Sequence, residues 1–360
     1  MSVEMERIVG RRCAPSCRSA RGWRGGSWRS SANERVLVDY HSAVRVFSAN
    51  RWERPMTEVD DSHEFGSEDV TETKLRLLEE YIQAFATALR GKFPRIWYID
   101  AFAGTGSRTI RIGATDANMF GEAKEETVDR KRGSARIALD VQPHFDRLIF
   151  MEQRKKHYDA LMELRQQHPQ RDIFVLQGDA NDIIQSQLHL ADWRGTRAVI
   201  FLDPYGMNVD WKTLECIAAT GAIDVWYLFS LSGLFRQAAR NISGIDQHKR
   251  AAITRMLGTS EWESELYQRE EVFTDLFGTE SKHERQRIAD VAGLERYVTR
   301  RLRTIFPMVL EPFALPPVRR PQIFSLYFAL SNKDPKAIGL AKKIAGHILN
   351  SGKPSHSRSR

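Results

Sequence analysis

Cysteine is scarce: Cys13, Cys17 and Cys216 are the only three in 360 residues. Three so scattered exclude a disulfide framework or a four-ligand zinc site, and a reducing cytoplasm becomes the expected compartment. Long apolar runs are missing too. No stretch approaches ~18 consecutive apolar residues, so no membrane span is expected. The histidines form no HExxH, and neither GxSxG nor GxxxxGK[ST] occurs, which removes the usual zinc-protease, serine-hydrolase and P-loop signals. The remaining composition, 42% apolar and 28% charged, is that of an ordinary globular chain.

Lysine is absent from residues 1–55, which hold eleven Arg against five acids. The net charge of +8 therefore belongs mostly to this segment, and the rest of the chain is nearly balanced. A whole-chain sum of this kind does not locate a phosphate-binding patch. The segment has almost no helical or alternating period and lacks the apolar run of a secretory signal. A mitochondrial presequence and a basic nucleic-acid-binding arm are the minor readings of its Arg content. The preferred expectation is an upstream extension of the reading frame, with translation starting at Met56 and residues 1–70 disordered. Residues 351–360 are expected to be a frayed tail.

From Glu72 the pattern becomes regular. Leu75, Leu78, Ile82, Phe85 and Leu89 recur at three- and four-residue spacing and predict a helix over 73–89. Five short apolar runs follow: Ile96–Asp100, Leu148–Glu152, Ile173–Gln177, Ala198–Asp203 and Ile223–Phe229. They are apolar at successive positions, as strands buried on both faces are. Helical stretches such as 154–167 and 211–220 lie between them, so residues 71–233 predict a doubly wound parallel α/β sheet. Residues 234–306 read as an all-helical insertion, a place for a lid or partner surface or simply a layer over the sheet. Two late strands, 308–315 and 323–331, are joined without room for a helix and should pair antiparallel, completing the core over 307–350.

In such a sheet, ligands bind beyond the carboxyl ends of the strands. The first strand runs into Asp100-Ala-Phe102-Ala-Gly104-Thr-Gly106. Glycines at 104 and 106 allow close backbone approach and positive φ. Thr109 stands where the dinucleotide fingerprint needs its third glycine, which counts against NAD. Asp100, four residues before the first glycine, suits the ammonium of a nucleoside-linked amino acid. Glu152 ends the second strand, where a carboxylate accepts bonds from both ribose hydroxyls; the bland alternative is a solvated helix start. The long spacing between Gly106 and Glu152 is expected to be an inserted loop over 111–132, followed by a helix capped by Ser134. Asp179 follows the third strand and either meets an adenine amino group or caps the next helix. Asp203-Pro204-Tyr205-Gly206 closes the fourth. Its carboxylate and proline-fixed carbonyl can accept bonds from an amino nitrogen while the ring stacks on a flat base. The plain alternative is a Pro-containing turn with a core tyrosine.

The ordered set YIDAFAGTGS, GSARIALD, FMEQ, GDAND, FLDPYG and SLYFALSNKDPKAIGLAKKIA resembles the three-Cys-motif partner proteins, over about residues 70–350. These are bacterial proteins named for a separate, neighbouring protein that carries three cysteines. The resemblance implies a Rossmann-like methyltransferase fold: a mostly parallel seven-stranded sheet with an antiparallel last strand and an insertion after strand five. It implies S-adenosylmethionine as cofactor, held by Asp100, Phe102, Gly104, Gly106, Glu152 and Asp179. Asp203, Pro204 and Tyr205 would face the acceptor. They are similar to the D-P-P-[YF] of amino-methyltransferases acting on nucleic acid, with one proline fewer and hence a shorter turn. The implied partners are the three-Cys-motif protein and nucleic acid. Two function classes follow. One is a methyltransferase acting on nitrogen; the other is a non-catalytic adaptor that docks to the three-Cys-motif protein.

Overall fold

The computed structural model describes residues 68–112, 127–268, 272–274, 280–282, 284–317 and 322–352. The expected upstream extension, the acidic segment from Met56 and all but the first two residues of the expected tail lie outside the described residues.

Helix α1 (Glu68–Leu89) begins five residues before the predicted start, with acidic Glu68 and Asp69 at its amino end. Strand β1 (Arg95–Asp100) leads to an antiparallel ribbon, β2 (Ser107–Ile112) and β3 (Thr127–Arg132), with Ser107 opposite Arg132. A ribbon therefore frames the segment where only a loop was expected. The alternation then runs as predicted: α2 (Ser134–Asp140), β4 (Arg147–Glu152), α3 (Lys155–Gln167), β5 (Ile173–Gln177), α4 (Ala180–Gln187), β6 (Thr196–Leu202), α5 (Trp211–Ala219) and β7 (Ile223–Ser230). Gly133, not Ser134, is the cap of α2. The Ser134 hydroxyl is directed to the Asp100 carboxyl instead.

The insertion is less helical than expected. It contains α6 (Leu231–Gln237), α7 (Gln247–Leu257), the single turn α8 (Trp262–Glu265), a small antiparallel pair β8 (Val272–Thr274) and β9 (Glu280–Lys282), and α9 (Val291–Leu302). Val-Phe-Thr at β8 favours a pleated backbone, which wins over the surrounding helical spacing. Ile288 precedes α9 and is 62% exposed, whereas Leu294, Tyr297, Val298 and Leu302 are buried. The late strand also differs. It splits into β10 (Met308–Val309) and β11 (Phe313–Leu315), both antiparallel to β12 (Phe324–Leu330). Pro312 lies between them and cannot donate to a ladder, so the strand breaks there. Helix α10 (Pro335–Ser351) ends the described chain.

Eight of these strands form one sheet, ordered β10-β12-β7-β6-β1-β4-β5, with β11 also on β12, while β2–β3 and β8–β9 are separate pairs. Strands β5, β4, β1, β6 and β7 are parallel, and β12 runs against β7. The fold is thus Rossmann-like, with the antiparallel carboxyl-terminal strands that were expected and one strand more than the seven. No helix among the described residues is long and apolar enough to cross a membrane. One core cluster joins Leu78, Ile82 and Phe85 of α1 to Tyr98, Phe150, Trp226 and Phe328 of the sheet and to Ala345 and Ile348 of α10.

A single glycine seats the insertion on this core. Gly258 caps α7 at φ +71°, and a Cβ there would lie 2.1 Å from ring atoms of Trp211, the first residue of α5. Replacing Gly258 with Ala combines left-handed backbone strain with a ring that must move. A loss of about 2–3 kcal/mol is expected. Chemical denaturation would show it, and an unchanged midpoint would mean that Trp211 is not held against the cap.

Candidate functional site

The chain leaves β1 for β4 and β5 on one side, then returns to β6 and β7 on the other, so the switch point lies at the carboxyl end of β1. Register places its acids side by side. Asp100 pairs in register with Phe150 of β4 and Phe201 of β6, so Glu152 at the end of β4 and Asp203 just past β6 each lie two residues beyond its level.

The turn after β1 is anchored to both neighbours. Ala101 N–H donates to the Phe201 carbonyl and Ala103 N–H to the Met151 carbonyl, each at 3.1 Å. Gly104 takes φ +59° and Gly106 φ +71°, a region L-residues avoid. Their reasons differ. A Cβ on Gly106 would meet Leu164 at 3.2 Å and Ala135 at 3.5 Å, so that glycine lets α2 and α3 approach. Among the described residues, a Cβ on Gly104 would meet nothing within 4 Å. Gly104 therefore faces space that no described residue fills, and Phe102 beside it is half-buried.

Glu152 is not the solvated helix start of the bland reading. It is 6% exposed, and its Oε2 accepts the Gly104 N–H at 3.0 Å while Oε1 accepts the Arg154 N–H at 2.8 Å. His157 Nδ1 stands 3.7 Å away. The carboxylate thus braces the glycine turn and the start of α3, with a second lone pair left on each oxygen.

Asp100 is fully buried under the turn. It accepts the Phe102 N–H at 3.3 Å and bonds from Ser134 and Tyr98. Burial pushes its carboxyl up to about 7, with Ser134 opposing that shift and the charge of Asp203 adding to it. A cation brought near this edge would favour the ionised form.

Asp179 caps α4, its Oδ1 accepting the Asn181 N–H at 2.8 Å, as the capping alternative anticipated. Asn181 is the more connected residue. Its Nδ2 donates to the Asn208 carbonyl at 2.8 Å, and its Oδ1 accepts from Asp210 N–H at 2.9 Å and Thr213 Oγ1 at 2.8 Å. This buried amide ties the loop after β6 to α4.

That loop begins with Asp203, and Pro204 behind it is buried. Tyr205 is 61% exposed, with the Arg154 guanidinium 5.0 Å above its ring. The core-tyrosine alternative does not hold. Asp203 carries a partner that the motif did not suggest: Lys74 of α1 places Nζ 2.5 Å from its Oδ2. Lys74 lies 129 residues away in sequence, yet it falls in line with Leu77, Leu78 and Tyr81, the buried stripe of α1. A cation on an apolar stripe was the available signal.

The structure therefore gathers Asp100, Gly104, Glu152 and Asp203 at one sheet edge, with Gly106 beneath the turn and Asp179 one strand further out.

No family model matches the chain, and no curated protein does either. Among solved structures, it is similar to protein LPL1258 from Legionella pneumophila, at 13% identity over 81% of this chain and 96% of that one, TM-score 0.42. It is similar to an S-adenosylmethionine-dependent methyltransferase from Clostridium acetobutylicum, at 9% identity over 84% and 100%, TM-score 0.34. The YcgJ protein from Bacillus subtilis shows 11% identity over 72% and 96%, TM-score 0.28. This likeness is one of chain path alone.

Proposed function

We propose that this chain is an S-adenosylmethionine-dependent methyltransferase that delivers a methyl group to a nitrogen, with nucleic acid as the acceptor class and a three-Cys-motif protein as its partner. The observation that carries the reading is the junction at the switch point: a glycine turn with open space at Gly104, braced by the Glu152 carboxylate, next to Asp203 and Tyr205. Open space where a Cβ would stand is what a ligand lying against backbone requires.

When bound, S-adenosylmethionine would supply a methyl group on a sulfonium that already carries the activation. The residues then have positioning tasks. Gly104 and Phe102 would border the ligand, and Gly106 keeps α2 and α3 close enough to support them. Glu152 would accept ribose hydroxyls on its free lone pairs. Asp100 would act from beneath, its charge favouring an ammonium at the turn. Asp179, already a helix cap, would offer its second oxygen to an adenine amino group. Asp203 would accept a hydrogen bond from the acceptor amine on Oδ1, while Lys74 holds Oδ2. Pro204 fixes the backbone of this turn, and the exposed Tyr205 ring offers a face to a flat base. The NAD alternative is disfavoured because residue 109 lies in strand β2, where the dinucleotide fingerprint needs a helix.

Isothermal titration tests the ligand assignment directly: S-adenosylmethionine should bind and NAD should not. Gly104→Asn refines it. Asn tolerates positive φ, so stability should fall by under about 1 kcal/mol. Its side chain would enter the open space and weaken binding at least about tenfold, a little over 1 kcal/mol. Undiminished affinity in that variant would make the glycine turn a structural feature only.

A further inference from the structure

A second concavity lies at the opposite edge of the sheet. It encloses about 400 Å³ between α1, α10 and the starts of β6 and β7, within the range of small-molecule sites. Arg197 and Asp224 of its lining are near the beginnings of β6 and β7, whereas Asp203 follows the end of β6. A seven-residue strand separates the two by about 20 Å. The cavity belongs to no part of the site described above.

Its walls are apolar and its polar groups are unevenly charged. Phe85, Ala88 and Leu89 of α1 face Leu340 and Ile344 of α10. Three cations also line it: Lys92, Arg197 and Lys336. Among the described residues, no carboxylate lies within ion-pair distance of any of them. The two acids in the lining act on Arg197 only through space and hold hydrogen-bond partners of their own. Asp334 caps α10, accepting the Lys336 N–H at 2.7 Å, and Asp224 accepts the Tyr81 hydroxyl at 2.5 Å. Arg197 is held rigidly. Its Nη1 donates to the Trp193 carbonyl at 3.2 Å and the Thr196 carbonyl at 2.8 Å, and its guanidinium stands 4.3 Å over the Phe93 ring. The first turn of the 17-residue α10 opens on the same space, adding the positive end of a helix dipole.

We propose that this cavity is a binding site for a small apolar molecule carrying one anionic group. The apolar body lies between α1 and α10, and the anion meets Arg197, with Lys92 and Lys336 at the rim. Three cations outnumber the two acids, so an uncharged guest would leave positive charge in excess, and a cationic one would add to it. Asp224 does not oppose an anion strongly, because burial pushes its carboxyl up to about 7 and leaves it only partly ionised at neutral pH.

Titrating the full chain with decanoate near neutral pH tests this, with decyltrimethylammonium as the probe of equal chain length and opposite charge. Decanoate should bind one to one at roughly 10–100 µM, the range a dozen heavy atoms reach. The cationic probe should bind at least tenfold more weakly. Arg197→Gln should weaken decanoate tenfold or more, and Ala88→Phe, which fills the apolar end, should abolish binding. Thermal melts accompany both variants; if Ala88→Phe does not fold, Arg197→Gln together with Lys336→Gln decides. No heat from decanoate at millimolar concentration would overturn the proposal. So would equal affinity for the two probes, or wild-type affinity in the folded variants. No methyl donor enters the experiment, so its outcome is independent of the reaction proposed for the other edge.

Discussion

Asp203→Asn is expected to cut methyl transfer by about 10²-fold or more, the scale of a positioned catalytic group, while S-adenosylmethionine affinity stays near wild type. The physical basis is the direction of the hydrogen bonds. Asn keeps one acceptor oxygen, and Lys74 Nζ, now 2.5 Å from Oδ2, competes for it. The amide NH2 then faces the acceptor amine, donor against donor. Stability should fall by only about 1 kcal/mol, because the lysine retains a neutral acceptor. The measurement is transfer of labelled methyl to total nucleic acid and to the neighbouring three-Cys-motif protein. Equal transfer by wild type and variant would leave Asp203 with a structural role only. No transfer by wild type would remove the enzyme reading and favour the docking adaptor.

The second large effect is on stability against pH. Asp100 and Asp224 are both buried carboxyls raised from the ordinary 3.8 to about 7, in each case chiefly by desolvation. Around Asp100 lie Ser134, Tyr98 and the Phe102 N–H, which favour the ionised form, and Asp203, which opposes it. Around Asp224, the Tyr81 hydroxyl and Arg197 favour it. Both groups hold their proton more tightly in the folded chain than in the unfolded one. Their contribution is therefore fully present below about pH 4 and is lost as pH rises towards 7. At about 1.4 kcal/mol per tenfold change in ionisation constant, each accounts for up to about 4 kcal/mol across that window. Asp224→Asn keeps an acceptor for Tyr81 and cannot ionise. Urea denaturation at pH 5 and pH 8 should show a smaller loss of stability in this variant than in wild type, by a few kcal/mol. Identical losses would mean that Asp224 does not titrate in this range.

Much of this arrangement was readable from the sequence, for identifiable reasons. Runs such as Ile96–Asp100 and Ala198–Asp203 are apolar at every position because their strands are covered on both faces. Their terminal acids mark the carboxyl edge because the apolar run stops there, although Asp100 itself stays buried under the turn. Parallel register then does the rest, bringing Asp100, Glu152 and Asp203 together without any further signal in the chain. Other features depended on partners far away in sequence. Lys74 stood out as a cation on the apolar stripe of α1, but only the crossing of α1 over the carboxyl edge gave it Asp203 as a partner. Asn181 was a neighbour of Asp179 in the motif, and only the path of the loop after β6 made it the better-connected residue. The short ribbon of β8 and β9 was hidden because its few residues sit among apolar positions with helical spacing. Pro312 lay inside the expected strand 308–315, and the interruption it makes there follows from the missing N–H alone.

That interruption bears on how the molecule behaves in company. Open sheets end in unpaired N–H and C=O groups, which invite strands from other chains. Here one margin is formed by β10 and β11, two and three residues long, with the break at Pro312 between them. The other margin is β5, five residues long, preceded by Arg171 and Asp172 and bearing the Arg147 guanidinium 4.4 Å over the Phe174 ring. Among the described residues, neither border offers the long, flat, uncharged template that edge-to-edge pairing needs.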